Sequence, residues 1–273
     1  MINKQNQFGV TGFANLWRDL SIILLGWCAT LIIVNPTGNF PLNDDWAFAS
    51  TVKHLLEYGE YRPTGWASMP LISNVLWGSI FCLPAGFSFD VLRLSTIIAS
   101  LAGLGGFYLL LRELRQPSWL AIIAVLTLGF NPIYYSLSNT FMTDVFYTAV
   151  QLFAAYFFVR NLRRDSYADL LVATLLALTA TLSRQLAVAV PLAFAVAVIF
   201  RRGINIRSVL SAIVPVALCV GALLGLQRWL AATGRLQPLY SSNDELLLQM
   251  LGAPKLLVTA LLANSIVASI YLG

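Results

Sequence analysis

The adjacent carboxylates Asp44 and Asp45, in the run Phe40-Pro41-Leu42-Asn43-Asp44-Asp45-Trp46, are the residues of this chain whose types and spacing best suit acid–base chemistry. Two carboxylates side by side repel each other, so one of them is expected to have a raised pKa or a cationic partner. Such a pair suits a general base that takes a proton from a hydroxyl or amine, while its neighbour holds a cation or orients the reactant. A solvated loop, or an N-cap for a helix beginning near Trp46, accounts for the same dipeptide.

Asp144 follows Ser138-Asn139-Thr140-Phe141-Met142-Thr143 and opens an apolar run, where Thr143 or Asp144 would cap a helix and complement its dipole. Arg184 and Gln185 interrupt a second apolar stretch, and Arg93 opens a third. Ionisable groups near membrane depth are functional candidates, and the fork of donors on Arg184 suits an anionic group. A salt bridge from Arg184 to Asp144 or to another acid on the same face is the structural alternative. Arg62, in Tyr61-Arg62-Pro63-Thr64-Gly65-Trp66, suits a phosphate at the headgroup level or serves as an interfacial anchor. A single histidine, His54, argues against a histidine metal site or a Ser-His-Asp triad, and Cys28, Cys82 and Cys219 read as small buried hydrophobes.

The elements that carry these residues follow from composition. Of 273 residues, 58% are hydrophobic and 11% charged, with mean hydropathy +0.76. A soluble domain usually carries about 25% charged residues. Disordered, collagenous and disulfide-rich secreted classes are likewise excluded. Long uncharged runs at Leu20–Val34, Leu94–Leu111, Gln116–Thr143, Val145–Val159, Leu170–Ser183, Gln185–Phe200, Ser208–Gln227 and Leu256–Gly273 predict an all-α polytopic membrane protein with about eight transmembrane helices. Trp66–Phe89 carries Pro70, Pro84 and several glycines, and reads as a segment on or dipping into the outer surface.

With that topology Lys4, Arg18, Arg112, Arg115, Arg160, Arg163, Arg164, Arg201, Arg202 and Arg207 share one face, 10 of the 17 basic residues. The positive-inside rule makes that face cytoplasmic, together with the N-terminus, so the net charge of +5 is a topology signal rather than a nucleic-acid patch. Eight of the 12 acids fall on the opposite face. Leu170–Phe200 as a single helix would rise about 46 Å against a core of about 30 Å, so two short helices are expected with Arg184 at their outer turn. Ala47–Tyr58 is amphipathic and reads as a surface helix ending at Gly59. The first outer loop, residues 35–90, thus carries amphipathic surface helices and the catalytic candidates, within one module spanning 1–273.

The ordered features Asp44-Asp45-Trp46, Leu55-Leu56-Glu57-Tyr58-Gly59-Glu60-Tyr61, Met69-Pro70-Leu71, Val91-Leu92-Arg93-Leu94, Met142-Thr143-Asp144 and Ser183-Arg184-Gln185 resemble the GT-C membrane glycosyltransferases. The likeness is to protein O-mannosyltransferases and aminoarabinose transferases, and covers roughly the first 200 residues. It implies inverting transfer of a sugar from a polyprenyl-phosphate donor to a lipid, glycan or protein acceptor, on the outer face of the inner (plasma) membrane. It further implies Asp44 as general base, and Asp45, Arg62, Arg93, Asp144, Arg184 and Gln185 as substrate contacts. A divalent metal, held by Asp45 and Asp144, is left open, as no cofactor is demanded. Many relatives read Asp-Glu where this chain has Asp44-Asp45. The sequence stops inside an apolar run at Gly273, which reads as a truncated form of a longer enzyme. A transporter or flippase component, or an inactive truncated relative, are the alternatives, and nucleic acid is not an expected partner.

Overall fold

A computed structural model describes residues 10–240, with side chains from Asn15 onward. Ten α-helices follow in order: α1 (Val10–Val34), α2 (Asp45–Tyr58), α3 (Ile72–Ala85), α4 (Phe89–Glu113), α5 (Ser118–Gly129), α6 (Pro132–Ser138), α7 (Thr143–Arg164), α8 (Tyr167–Thr181), α9 (Ala189–Arg202) and α10 (Ile206–Ala232). A single 3₁₀ turn, Gln185–Val188, leads into α9. The protein is all-α and polytopic.

Five helices among the described residues are long and apolar enough to cross a membrane, and six if the bent pair α5 and α6 forms one span. The expected count of eight spans is not confirmed among the described residues. The stretch Gln116–Thr143 bends by 65° between α5 and α6. Pro132 is the cause: it lacks an N–H and pushes Asn131 out of helical geometry, to φ −59° and ψ 128°. The Asn131 side chain then caps α6 by accepting from the N–H groups of Ile133 and Tyr134. Helix α8 has 15 residues, about 22 Å at 1.5 Å per residue, short of a hydrocarbon core of about 30 Å. The run Leu256–Gly273 lies outside the described residues, as do Lys4, Asp244 and Glu245.

The amphipathic helix expected over Ala47–Tyr58 is present as α2. Gly59 adopts φ 66° and closes α2 by donating to Leu55, a left-handed cap for which glycine carries no Cβ penalty. Helix α3 has 14 residues, about 21 Å, and stops at Pro84 and Gly86, too short to cross. The stretch 170–200 divides as expected, with Arg184 in extended geometry between α8 and the 3₁₀ turn.

Charge sorts the two ends of the bundle. At one end Arg160 meets Asp169, Arg163 and Arg164 meet Glu113, and Arg202 and Arg207 meet Asp165. Asp19 is fully buried near the same end, where it accepts from the Tyr108 hydroxyl at 2.7 Å and ties α1 to α4. The opposite end receives the residue 35–90 segment, the 139–144 link and the α8–α9 break.

Apolar side chains form three clusters. One lies under the 45–92 segment and includes Val52, Leu71, Val75, Leu92, Phe141 and Leu230. A second joins α1, α4, α5 and α6 through Trp27, Leu104, Tyr108 and Tyr134. The third, with Phe158, Ala173, Phe194 and Cys219, joins α7 to α10. Small residues let α4 and α7 approach closely: a Cβ on Gly103 would lie 3.1 Å from the Ala149 Cβ and 3.2 Å from its Cα. Apolar lipid provides little drive for helix association, so close backbone packing of this kind carries it.

Candidate active site

The turn before α2 is built around Asp45. Asn43 takes a left-handed conformation, φ 59°, which asparagine tolerates better than most residues. Asp45 is buried, and its Oδ1 accepts from the Leu42 N–H at 2.7 Å, closing the turn. Its Oδ2 accepts from the Phe141 N–H at 3.4 Å, three residues before Asp144. Burial pushes the Asp45 carboxyl above its ordinary pKa, opposed by the N–H groups of Leu42 and Phe141 and by the charge of Arg93. Asp44, one residue earlier, is exposed, and its carboxylate has no hydrogen-bond or ion-pair partner among the described residues. It occupies the N-cap position of α2, and its carbonyl, not its side chain, accepts from Ala47. The two carboxylates thus have opposite environments: Asp45 holds the turn, and Asp44 has no side-chain partner among the described residues.

Arg93 secures the loop that leads into this turn. Its Nη1 donates to the carbonyls of Pro36 at 2.6 Å and Gly38 at 3.0 Å, and its Nη2 donates to Phe40 at 3.0 Å. The guanidinium lies over the Phe40 ring and 3.6 Å from Asp90, which in turn accepts from the Gly38 N–H. Arg93 is 2% exposed, and these contacts make it a support of the loop.

Asp144 and Arg184 meet. Asp144 lies in the first turn of α7, whose N-cap is Met142 with no side-chain cap, so neither Thr143 nor Asp144 caps it. Arg184 Nη1 donates to the Asp144 carboxylate, and both side chains keep partial exposure. The Arg184 turn also carries the chain just before α3. Leu71 donates to the Ser183 carbonyl and Ser73 to that of Leu182, each at 3.3 Å, while Gln185 Nε2 reaches the Ser68 carbonyl at 3.5 Å. Leu71 is fully buried with φ 62°, an unfavourable geometry for leucine that this attachment holds in place.

Asp44, Asp45, Asp144, Arg184 and Gln185 are therefore gathered at one end of the bundle by Phe141 and by the 68–73 strap. Arg62 is exposed, and no hydrogen bond or ion pair joins it to the others among the described residues. Sequence reasoning missed Arg235, which follows α10, pairs with Glu60 and donates to the Tyr61 carbonyl. Tyr61 stacks on Trp229 of α10 and donates to the Pro70 carbonyl at 2.6 Å. These contacts fasten the end of α10 onto the loop. The available signal was a basic residue, Arg235, just beyond the last described span on the face that carries most of the acids.

Asp45 and Asp144 do not suit a resident cation. The oxygens of Asp45 are engaged by backbone N–H groups, Asp144 is engaged by Arg184, and no group of three His, Cys, Asp or Glu residues comes together among the described residues.

The family model for dolichyl-phosphate-mannose-protein mannosyltransferase matches residues 69–227. The chain belongs to this family. It is a GT-C glycosyltransferase of the mannosyltransferase-like type, integral to the membrane, and the family works with a polyprenyl-phosphate sugar donor and an acceptor. The matched region carries the strap at Met69-Pro70-Leu71, Arg93, Asp144 and the Arg184 turn, and begins after Asp44 and Asp45. None of the curated proteins compared matches the chain.

Proposed function

We propose that this mannosyltransferase-family protein transfers a sugar, with inversion, from a polyprenyl-phosphate carrier to an acceptor at the membrane face that carries Asp44, Asp144 and Arg184. The observation that supports this is the presence, at the same end of the bundle, of an exposed carboxylate at Asp44 without a partner among the described residues and a partly exposed guanidinium at Arg184. In this reading the acceptor oxygen or nitrogen attacks the anomeric carbon and Asp44 takes its proton. The bond from that carbon to the phosphate oxygen breaks, and its electron pair leaves on the carrier phosphate. Arg184, which keeps donors beyond the one engaged with Asp144, meets the charge that develops there. Gln185 and Asp144 hold the Arg184 turn in place, Asp45 and Arg93 hold the Asp44 turn, and Arg62 contributes at the headgroup level. The face is the outer one of the inner membrane, with the arginine-rich end and the N-terminus cytoplasmic, in keeping with the positive-inside rule.

The test is turnover of purified full chain in nanodiscs with a polyprenyl-phosphate-linked mannose and a hydroxyl acceptor. Release of free polyprenyl phosphate together with a product of inverted anomeric configuration is the expected result. Retention of configuration would remove the single-displacement step, and absence of release with every linked sugar offered would remove the activity.

A further inference from the structure

The end of the bundle opposite Asp44 carries a feature that sugar transfer leaves unused. The turn between α9 and α10 reads Phe200-Arg201-Arg202-Gly203-Ile204-Asn205-Ile206-Arg207, and three of its apolar side chains are almost bare: Phe200 at 87%, Ile204 at 85% and Ile206 at 81% exposure. Large apolar groups so exposed on a tight turn gain nothing from the protein, and gain free energy only by entering another apolar phase. Cations flank them. Arg201 is exposed and has no partner among the described residues, and Arg207 is half exposed beside Asp165 and stacked 4.7 Å from the Tyr167 ring.

The local charge is not balanced. Of the six arginines in the 160–169 and 201–207 segments, five meet three carboxylates, Glu113, Asp165 and Asp169, and Arg201 meets none among the described residues. Asp165 is shared between Arg202 and Arg207, and Glu113 between Arg163 and Arg164. A positive excess directly beside bare aliphatic side chains matches the chemistry of an anionic phospholipid, with phosphate at the arginines and acyl chains along the isoleucines.

We infer that the α9–α10 turn is a docking site for an anionic phospholipid, with Arg201 and Arg207 on its headgroup and Ile204 and Ile206 in its acyl layer. The inference does not depend on the transfer reaction proposed above. Tyr167, exposed next to Arg207, supplies the interfacial aromatic that such a headgroup site favours.

Native mass spectrometry of the full chain, released from micelles holding equal phosphatidylglycerol and phosphatidylcholine, tests it. Phosphatidylglycerol should be retained preferentially, and Arg201→Gln should lower its retention about five-fold, the worth of one arginine near a charged bilayer surface. Arg201 has no partner to release among the described residues, so this variant should fold as the parent does. Ile204→Ser should lower retention of both lipids. Equal retention of the two lipids by the parent chain, or an unchanged preference in Arg201→Gln, would overturn the assignment. So would a dimer, or a crosslink from Ile204→Cys to residues 241–273, that excludes lipid from the turn.

Discussion

Arg184 donates its Nη1 to the Asp144 carboxylate, joining the start of α7 to the break between α8 and α9. The break could not stand open at membrane depth without such a partner, because an extended residue leaves backbone groups and a charge to be satisfied. The pair holds Arg184 beside the strap that attaches Leu71 and Ser73 to residues 182–183. One ion pair therefore fixes both the fold of the turn and the position of the cation assigned to the carrier phosphate.

Arg184→Ala should raise the KM for the polyprenyl-phosphate donor more than that for the acceptor. The double-mutant cycle with Asp144→Asn should show coupling of about 1 kcal/mol, in the range of partly exposed pairs. Steady-state kinetics in nanodiscs measures the first and thermal unfolding the second. An unchanged donor KM would remove Arg184 from the phosphate.

Arg93→Lys should loosen the 36–45 loop although charge is kept, because one ammonium cannot span the three carbonyls that the guanidinium fork reaches. Faster hydrogen exchange at residues 36–45 and a fall in kcat with little change in donor KM are expected of a positioning residue. A selective rise in donor KM would instead mean that Arg93 touches the donor.

The raised pKa of Asp45 gives stability a pH dependence of definite sign. The folded chain binds this proton more tightly than the unfolded chain does, so the contribution of Asp45 is largest when it is protonated. It declines as pH rises through the unfolded value of 3.8 and on through the raised folded value, and then levels off. Asp45→Asn, which keeps an acceptor for the Leu42 N–H, should lose this part of the pH profile of Tm. Identical profiles for the parent and Asp45→Asn would contradict the burial argument.

Gly103→Ala places a methyl 2.8 Å from the Tyr134 hydroxyl and 3.2 Å from the Ala149 Cα, where backbone has to move. Overpacking of this kind costs about 1–3 kcal/mol. Tm in detergent should fall, and a Tm equal to the parent would mean that α4 and α7 have slack at this point.

Much of this was legible in sequence. The amphipathic helix closing at Gly59, the break at Arg184 and the helix-bearing apolar runs follow from period, glycine and charge placement, which are local signals. The bend at Asn131-Pro132 departs from the single span expected over Gln116–Thr143, because an uncharged run alone does not weigh the proline at its middle. The short length of α8 was less legible, because apolar runs do not record where a helix stops. At the site, adjacency revealed the Asp44-Asp45 pair but not the division of labour between them. That division depends on the Phe141 N–H, 96 residues away from Asp45 in the chain. The three carbonyls that Arg93 reaches leave no local signal, because an arginine at a helix start has the same residue type whatever it meets. The attachment of Arg235 to Glu60 and Tyr61 depends on where α10 ends relative to the loop, which no local pattern encodes.

In the proposed reaction the exposed Asp44, and not the buried Asp45, takes the acceptor proton. Asp44→Asn removes the base while leaving a polar group of the same shape at a position without a side-chain partner, so expression and Tm should equal those of the parent. Sugar transfer by Asp44→Asn in nanodiscs should fall by at least about 100-fold, the scale of general-base catalysis. Transfer at the parent rate by a folded Asp44→Asn protein would contradict this role.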